Sequence, residues 1–168
     1  MKVLVTGFEP FDGQAVNASW LAVEALAHAW TGGDLETLRL PVSFRRAPQV
    51  LMSALDRSCP SVVDGAQPVD QTLAQGEPLA LHTGLPVRAC LEAVTRAGVP
   101  VEVSNSAGTF VCNAVFYALV HRLAGSGVPH GFVHVPRTPA QVPGVGGGMP
   151  TVLAAAGLAA IVEACANA

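Results

Sequence analysis

Two residues in the second half of the chain carry the types and settings that could do covalent chemistry. The run Val101-Glu102-Val103-Ser104 reads as a short strand, and Asn105 to Thr109 as the loop that follows it. After the loop Phe110, Val111, Val115, Phe116, Leu119, Val120 and Leu123 recur with the spacing of an amphipathic helix. Cys112 therefore stands at a helix start, where unpaired N–H groups and the macrodipole favour an anion and so a thiolate. A lone thiol in an apolar helix also serves as a small hydrophobe, and position alone leaves both readings open. His134 lies in Gly131-Phe132-Val133-His134-Val135-Pro136, a strand closed by proline. Strand ends are where α/β sites lie, so neighbouring strands would put thiol and imidazole on the same side of a sheet. The imidazole would then take the thiol proton and make a nucleophile. A core histidine bonded to backbone is the alternative for His134, and His28, His82, His121 and His130 receive no role.

The elements that must position this pair alternate between strand and helix. Lys2 to Thr6 is a continuous, largely β-branched run of the kind buried on both faces of a parallel sheet, ended by Gly7. A loop from Phe8 to Asn17 leads to a helix over 18–30, with Ser19 or Asn17 as its cap. A second strand is expected over 35–42, broken by Pro41, and a helix over 47–56 that tolerates Pro48 in its first turn. From Cys59 to Leu85 neither period holds, which makes one long loop. Pro86 and Gly98 bracket a further helix, a strand over 99–104 precedes the loop before Cys112, and Val152 to Val162 forms the last helix. The Gly-rich run Pro143 to Gly148 lacks the Gly-Lys-Ser/Thr ending of a phosphate loop and reads as a mobile connection.

Composition narrows the function classes. The chain has 168 residues, 51% apolar and 12% charged, enough to bury one core and too little charge for a disordered segment or a coiled coil. A net charge of −3, with nine Lys and Arg scattered singly, gives no footprint for a nucleic acid or an anionic membrane. The longest apolar stretch is too short to span a bilayer, and no targeting segment is visible. Four cysteines without a Cys-x-x-Cys pair indicate neither a zinc site nor a disulfide framework, which fits reduced thiols in a cytoplasm. The surplus of Ala and Val over charge predicts apolar surface hidden between subunits, and hence a homo-oligomer, dimer or tetramer.

The stretch Ser104-Asn105-Ser106-Ala107-Gly108-Thr109-Phe110-Val111-Cys112-Asn113 strongly resembles the cysteine signature of the pyroglutamyl peptidase I family, the pyrrolidone-carboxylate peptidases. Thr6-Gly7-Phe8-Glu9-Pro10-Phe11 followed by Asn17-Ala18-Ser19-Trp20 is similar to its N-terminal motif. Phe132 to Pro136 resembles its histidine motif, and Asp64 to Asp70 a central segment. The resemblance implies one domain over 1–168 with an open three-layer α/β/α sandwich and a mostly parallel mixed central sheet. It implies a cysteine exopeptidase that removes N-terminal pyroglutamate from peptides through a thioester, with Cys112 as nucleophile and His134 as base and then acid. No metal and no cofactor are implied. Phe8 and Phe11 would sandwich the flat lactam ring, Asn17 would support the loop or the ring amide, and Phe110 and Val111 would line the wall. Aromatic faces with one or two amide partners suit a five-membered lactam, which has two apolar faces and one polar edge. Core packing under the first loop is the plain alternative for Phe8 and Phe11.

One departure from the family pattern stands out. A strand, a Gly-rich loop and a Glu-Arg motif are expected between the helix ending near Asp56 and the segment starting at Asp64. Here Cys59 to Val63 leads straight into Asp64-Gly65, and no Glu occurs between Glu36 and Glu77. The absent stretch, a few dozen residues, would include the acidic partner of His134. A non-catalytic homologue that binds pyroglutamyl ends is therefore the rival expectation, and a phosphate-using enzyme of similar sheet architecture a third.

Overall fold

The computed structural model describes residues 2–56, 76–144 and 147–168. They form two compact units, one made of the described residues within 1–39, 86–103 and 133–168, the other of those within 40–85 and 104–132.

The first unit begins with β1 (Val3–Phe8), α1 (Ala18–Ala29) and β2 (Leu35–Leu40), in which β1 and β2 pair in one parallel sheet. The intervening helix is the crossover that a parallel pair needs. Ala18, Ala22, Val23 and Leu26 turn one buried stripe of α1 inward. The stripe packs on β1 and on α5 (Thr151–Ala166), which in turn packs on α3 (Val87–Arg96). Gly7 makes the closest strand-to-helix approach: a Cβ there would lie 2.8 Å from the Trp20 Cα. Gly98, with φ +73°, ends α3 as the glycine after a helix commonly does.

The second unit pairs α2 (Arg46–Asp56) with α4 (Val111–Leu123). Ala47 and Leu51 on one helix and Val111, Ala114, Val115 and Val120 on the other are buried. Asp56 and Arg122 form an ion pair between the C-terminal ends of the two helices. Aromatic contacts fill the rest: Phe44 meets Phe110 edge-on at 5.4 Å, and Phe116 lies 6.0 Å from Phe132. The segment at 76–85 is held by Tyr117 Oη, which donates to the Pro78 carbonyl at 2.6 Å, and by Glu77, which contacts His121 at 3.0 Å.

Helices stand where the apolar period predicts them, to within a few residues at their ends. The strands expected over 99–104 and 131–136 do not form; both segments run without strand pairing among the described residues. A strand exists only through a hydrogen-bonded neighbour. The exposure of Val101 at 40%, Val103 at 51% and Val133 at 38% shows that neither segment is buried on both faces. The long loop expected over 59–85, the Asp64 motif and Cys59 lie largely outside the described residues, as do 145 and 146 of the Gly-rich run.

Candidate active site

Cys112 is the second residue of α4, after Val111 and the extended N-cap residue Phe110. The loop before it is built from its own hydroxyls. Ser104 Oγ donates to the Ser106 carbonyl at 3.0 Å, Ser106 Oγ accepts from the Gly108 amide at 3.0 Å, and Gly108 adopts φ +79°. That positive φ suits glycine and turns the chain into the helix. The Cys112 side chain is half-buried. Burial pushes its thiol up from the ordinary value, and the hydrogen bond to its own backbone amide pulls down without reversing this. The helix start alone predicts a depressed thiol; burial acts in the opposite direction, because desolvation penalises the thiolate. Val111 is a core residue at 2% exposure, whereas the neighbouring Phe110 ring is exposed and rests edge-on against Phe44.

Phe8, Phe11, Asn17 and His134 belong to the first unit. Phe8 is the last residue of β1, and its amide donates to Ser19 Oγ at 3.0 Å. Phe11 is exposed at the tip of a tight turn, in which the Gln14 amide donates to the Phe11 carbonyl at 3.1 Å. Asp12 and Gly13 both take positive φ, 55° and 69°, as the two central residues of a type I′ turn do. Asn17 caps α1: its Oδ1 accepts from the Ser19 amide at 2.9 Å and from the Ser19 hydroxyl at 2.8 Å. Its Nδ2 donates to the Glu9 carbonyl at 3.0 Å, so the amide also holds the loop. Ser19 is the third member of this group, and its Asn-x-Ser spacing is the local signal for it.

His134 is exposed and lies on an extended segment rather than at the end of a paired strand. The chain after it is firmly held. Thr138, buried at 7%, and Gln141 cap a short 3-10 turn over Pro139–Gln141. Gln141 Oε1 accepts from the Thr138 amide at 3.0 Å, and its Nε2 donates to the Val16 carbonyl at 3.2 Å. The segment beyond His134 is thereby tied to the loop that carries Phe11 and Asn17. Sequence reasoning misses Thr138 and Gln141, although a Thr three residues before a Gln is a capping-box spacing. The Gly-rich run, expected to be a mobile connection, is anchored at its end: the Met149 amide donates to the Arg137 carbonyl at 2.9 Å. A Cβ on Gly148 would meet the Pro139 nitrogen at 2.6 Å.

A cleft of about 550 Å³ opens in the first unit beside Trp30, Ala155, Ala159, Val162 and Glu163, and none of the candidate residues lines it. It is therefore a different feature from the candidate site. Among the described residues no three His, Cys, Asp or Glu side chains are grouped to hold a metal ion. No helix among them is long and apolar enough to cross a membrane.

The fold is of the α/β class with a thiol borne at a helix start, and the proteins it is similar to are cysteine peptidases. Pyroglutamyl peptidase I from Bacillus amyloliquefaciens is similar with a TM-score of 0.87 at 29% identity, covering 98% of this chain and 94% of that one. A pyrrolidone carboxyl peptidase variant from Pyrococcus furiosus matches with a TM-score of 0.84 at 27% identity, covering 99% of both chains. By sequence, the pyrrolidone-carboxylate peptidase of Pseudomonas fluorescens is 40% identical, over 84% of this chain and 81% of its own. The chain belongs to the pyroglutamyl peptidase family, whose model matches it in two pieces, 1–64 and 61–168. The pieces meet where the family pattern is interrupted. The alignment with the pyrrolidone-carboxylate peptidase of Streptomyces coelicolor, 37% identical, covers 99% of this chain and 92% of that relative. It runs over 200 positions against 168 residues here, which leaves at least 32 of the relative's positions without a counterpart.

Proposed function

We propose that the chain is a cysteine exopeptidase that removes pyroglutamate from peptide N-termini. The observation that carries this is the family match, which reaches from residue 1 to 168 and includes Cys112 at its helix start. In this reading Cys112 Sγ attacks the carbonyl carbon of the pyroglutamyl residue and forms a thioester. His134 takes the thiol proton and hands it to the departing amine, then draws a proton from the water that hydrolyses the thioester. Burial keeps the Cys112 thiol protonated at neutral pH, so the proton must leave during the attack. Phe8 and Phe11 hold the ring faces, Asn17 supports the loop beneath them, and Phe110 forms the wall, with Val111 buried behind it in the core. The reading includes a cytoplasmic setting, supported by four cysteines that lack the paired spacing of a disulfide framework. It also includes a homo-oligomer, supported by exposed apolar side chains such as Leu79 and Val152.

Release of the fluorophore from a pyroglutamyl-coumarin amide tests the reading. Loss of turnover in Cys112→Ser and in His134→Ala is expected; turnover that survives Cys112→Ser overturns the mechanism.

The two-piece family match supports a second reading, a homologue that binds pyroglutamyl ends without turnover. The missing stretch is where the resemblance puts the acid that orients the imidazole, and loss of such an acid lowers kcat by about 10⁴ in a serine protease. Saturable binding of a pyroglutamyl peptide with no product in the native chain identifies this reading.

A further inference from the structure

Helices α3 and α5 approach closely because Gly157 is buried between them: a Cβ there would stand 3.3 Å from Val99 Cγ1 and 3.7 Å from Val94 Cγ1. One turn back along α3 from Val94, and two turns on along α5 from Gly157, Cys90 and Cys165 meet with their sulfurs 4.0 Å apart. Both are free thiols, Cys90 buried and Cys165 half-exposed. We propose that Cys90 and Cys165 form a dithiol site which a low-molecular-weight disulfide of the glutathione type converts to an intrachain disulfide joining α3 to α5.

The chemistry balances in two exchanges. The Cys165 thiolate attacks one sulfur of oxidised glutathione, forming a mixed disulfide and releasing one glutathione thiolate. Cys90 then attacks the Cys165 sulfur, and the second glutathione leaves. The protein loses two electrons and two protons, and the oxidant becomes two glutathione thiols. The order follows from exposure, since Cys165 is the more exposed of the two while Cys90 is placed to resolve the adduct. A disulfide has its sulfurs about 2.05 Å apart, so the pair must close by roughly 2 Å, within reach of side-chain rotation and a small helix shift.

The surroundings set the character of the bridge. Burial, with the neighbouring Cys90 charge and hydrogen bond adding to it, pushes the Cys165 thiol up to about 12. Thiolate is then scarce at neutral pH, and a thiol of high pKa is a poor leaving group. The bridge forms slowly and resists reduction, which makes it a stabilising latch rather than a fast switch.

The test incubates the full chain with oxidised glutathione, blocks remaining thiols with iodoacetamide, and maps peptides by mass spectrometry without reduction. The expected product is a Cys90–Cys165 linked peptide pair from a species that stays at single-chain mass under denaturing, non-reducing conditions. In Cys90→Ser the glutathione adduct should persist on Cys165, and in Cys165→Ser, Cys90 should remain alkylatable. A wild-type chain that keeps glutathione on Cys165, leaves both thiols alkylated, or links Cys90 or Cys165 between two chains overturns the proposal.

Discussion

The Gln141 side chain joins two parts of the first unit that lie 125 residues apart, donating from Nε2 to the Val16 carbonyl at 3.2 Å while its Oε1 accepts from the Thr138 amide at 3.0 Å. The two ends of one amide thus brace the short turn after His134 against the loop of Phe11 and Asn17. Gln141→Glu keeps an acceptor for Thr138 and removes the donor to Val16, so it isolates the strap. We expect it to lose about 1 kcal/mol, the usual net worth of such a bond, and to speed limited proteolysis between residues 9 and 17. Gln141→Ala should lose more, because the turn's cap goes with the strap. A Gln141→Glu chain with unchanged stability and cleavage pattern would show that the strap does not hold the loop.

Asn17 separates two roles in the same way. Its Oδ1 caps α1 through Ser19, and its Nδ2 holds the Glu9 carbonyl. Asn17→Ala should cost about 1 kcal/mol through the lost cap. Asn17→Asp retains the cap, so denaturant unfolding should recover most of that loss. If the proposed ring sandwich is right, the Asp variant should still bind a pyroglutamyl peptide more weakly than the native chain, because the loop under Phe11 has lost its tie. Equal binding by both proteins would disconnect the Glu9 bond from the pocket.

The helices were legible because each announces itself locally. Pro86 and Gly98 bracket α3, and the apolar spacing from Phe110 to Leu123 outlines α4 almost to the residue. The segments 99–104 and 131–136 show why strands are harder. Their β-branched content marks extended chain, but pairing depends on a neighbour often far off in the chain, and here Val101, Val103 and Val133 face solvent. The Gln141 strap joins polar residues with no local signal, so only the folded chain reveals it. The Cys112 thiol is legible only in part for a similar reason: its helix position is written in the sequence, whereas its burial is a property of the packed unit.

Gly7 tests how tightly β1 is seated on α1. A Cβ there would lie 2.8 Å from the Trp20 Cα and 2.9 Å from its nitrogen, both backbone atoms that cannot swing aside. Gly7→Ala should destabilise by about 1–3 kcal/mol, the range for overpacking a filled interior. The strand would also be levered away from the Phe8 amide's bond to Ser19 Oγ. Denaturant midpoints measure the first effect, and amide exchange at Phe8 the second. A Gly7→Ala chain as stable as the native one would mean that β1 is free to shift.

Alkylation of Cys112 by iodoacetamide should rise about tenfold for each pH unit between 6 and 8, since the thiolate reacts and burial holds its pKa above the ordinary value. A plateau below pH 7 would reveal a thiolate already formed, and with it a standing ion pair in place of proton transfer during attack.

Alkaline stability follows from the other shifted thiol. Cys165 is pushed up to about 12 when folded, so from about pH 9 upward the unfolded chain releases this proton before the folded one does. The unfolded state then binds fewer protons, and the free energy of unfolding must fall as pH rises. The stabilising contribution is fully present below the unfolded pKa and is lost progressively from about pH 9 towards 12. Cys112, raised in the same direction, adds to the same slope. Urea unfolding of the reduced chain at pH 7.5 and at pH 10 should show the loss, and Cys165→Ser should flatten it while leaving the neutral-pH midpoint within reach of the native value. An identical pH dependence in the serine variant would place the alkaline-sensitive group elsewhere. If the glutathione-oxidised chain carries the bridge proposed between Cys90 and Cys165, it should show the same flattened dependence, because neither of those sulfurs then has a proton to lose and only the Cys112 contribution remains.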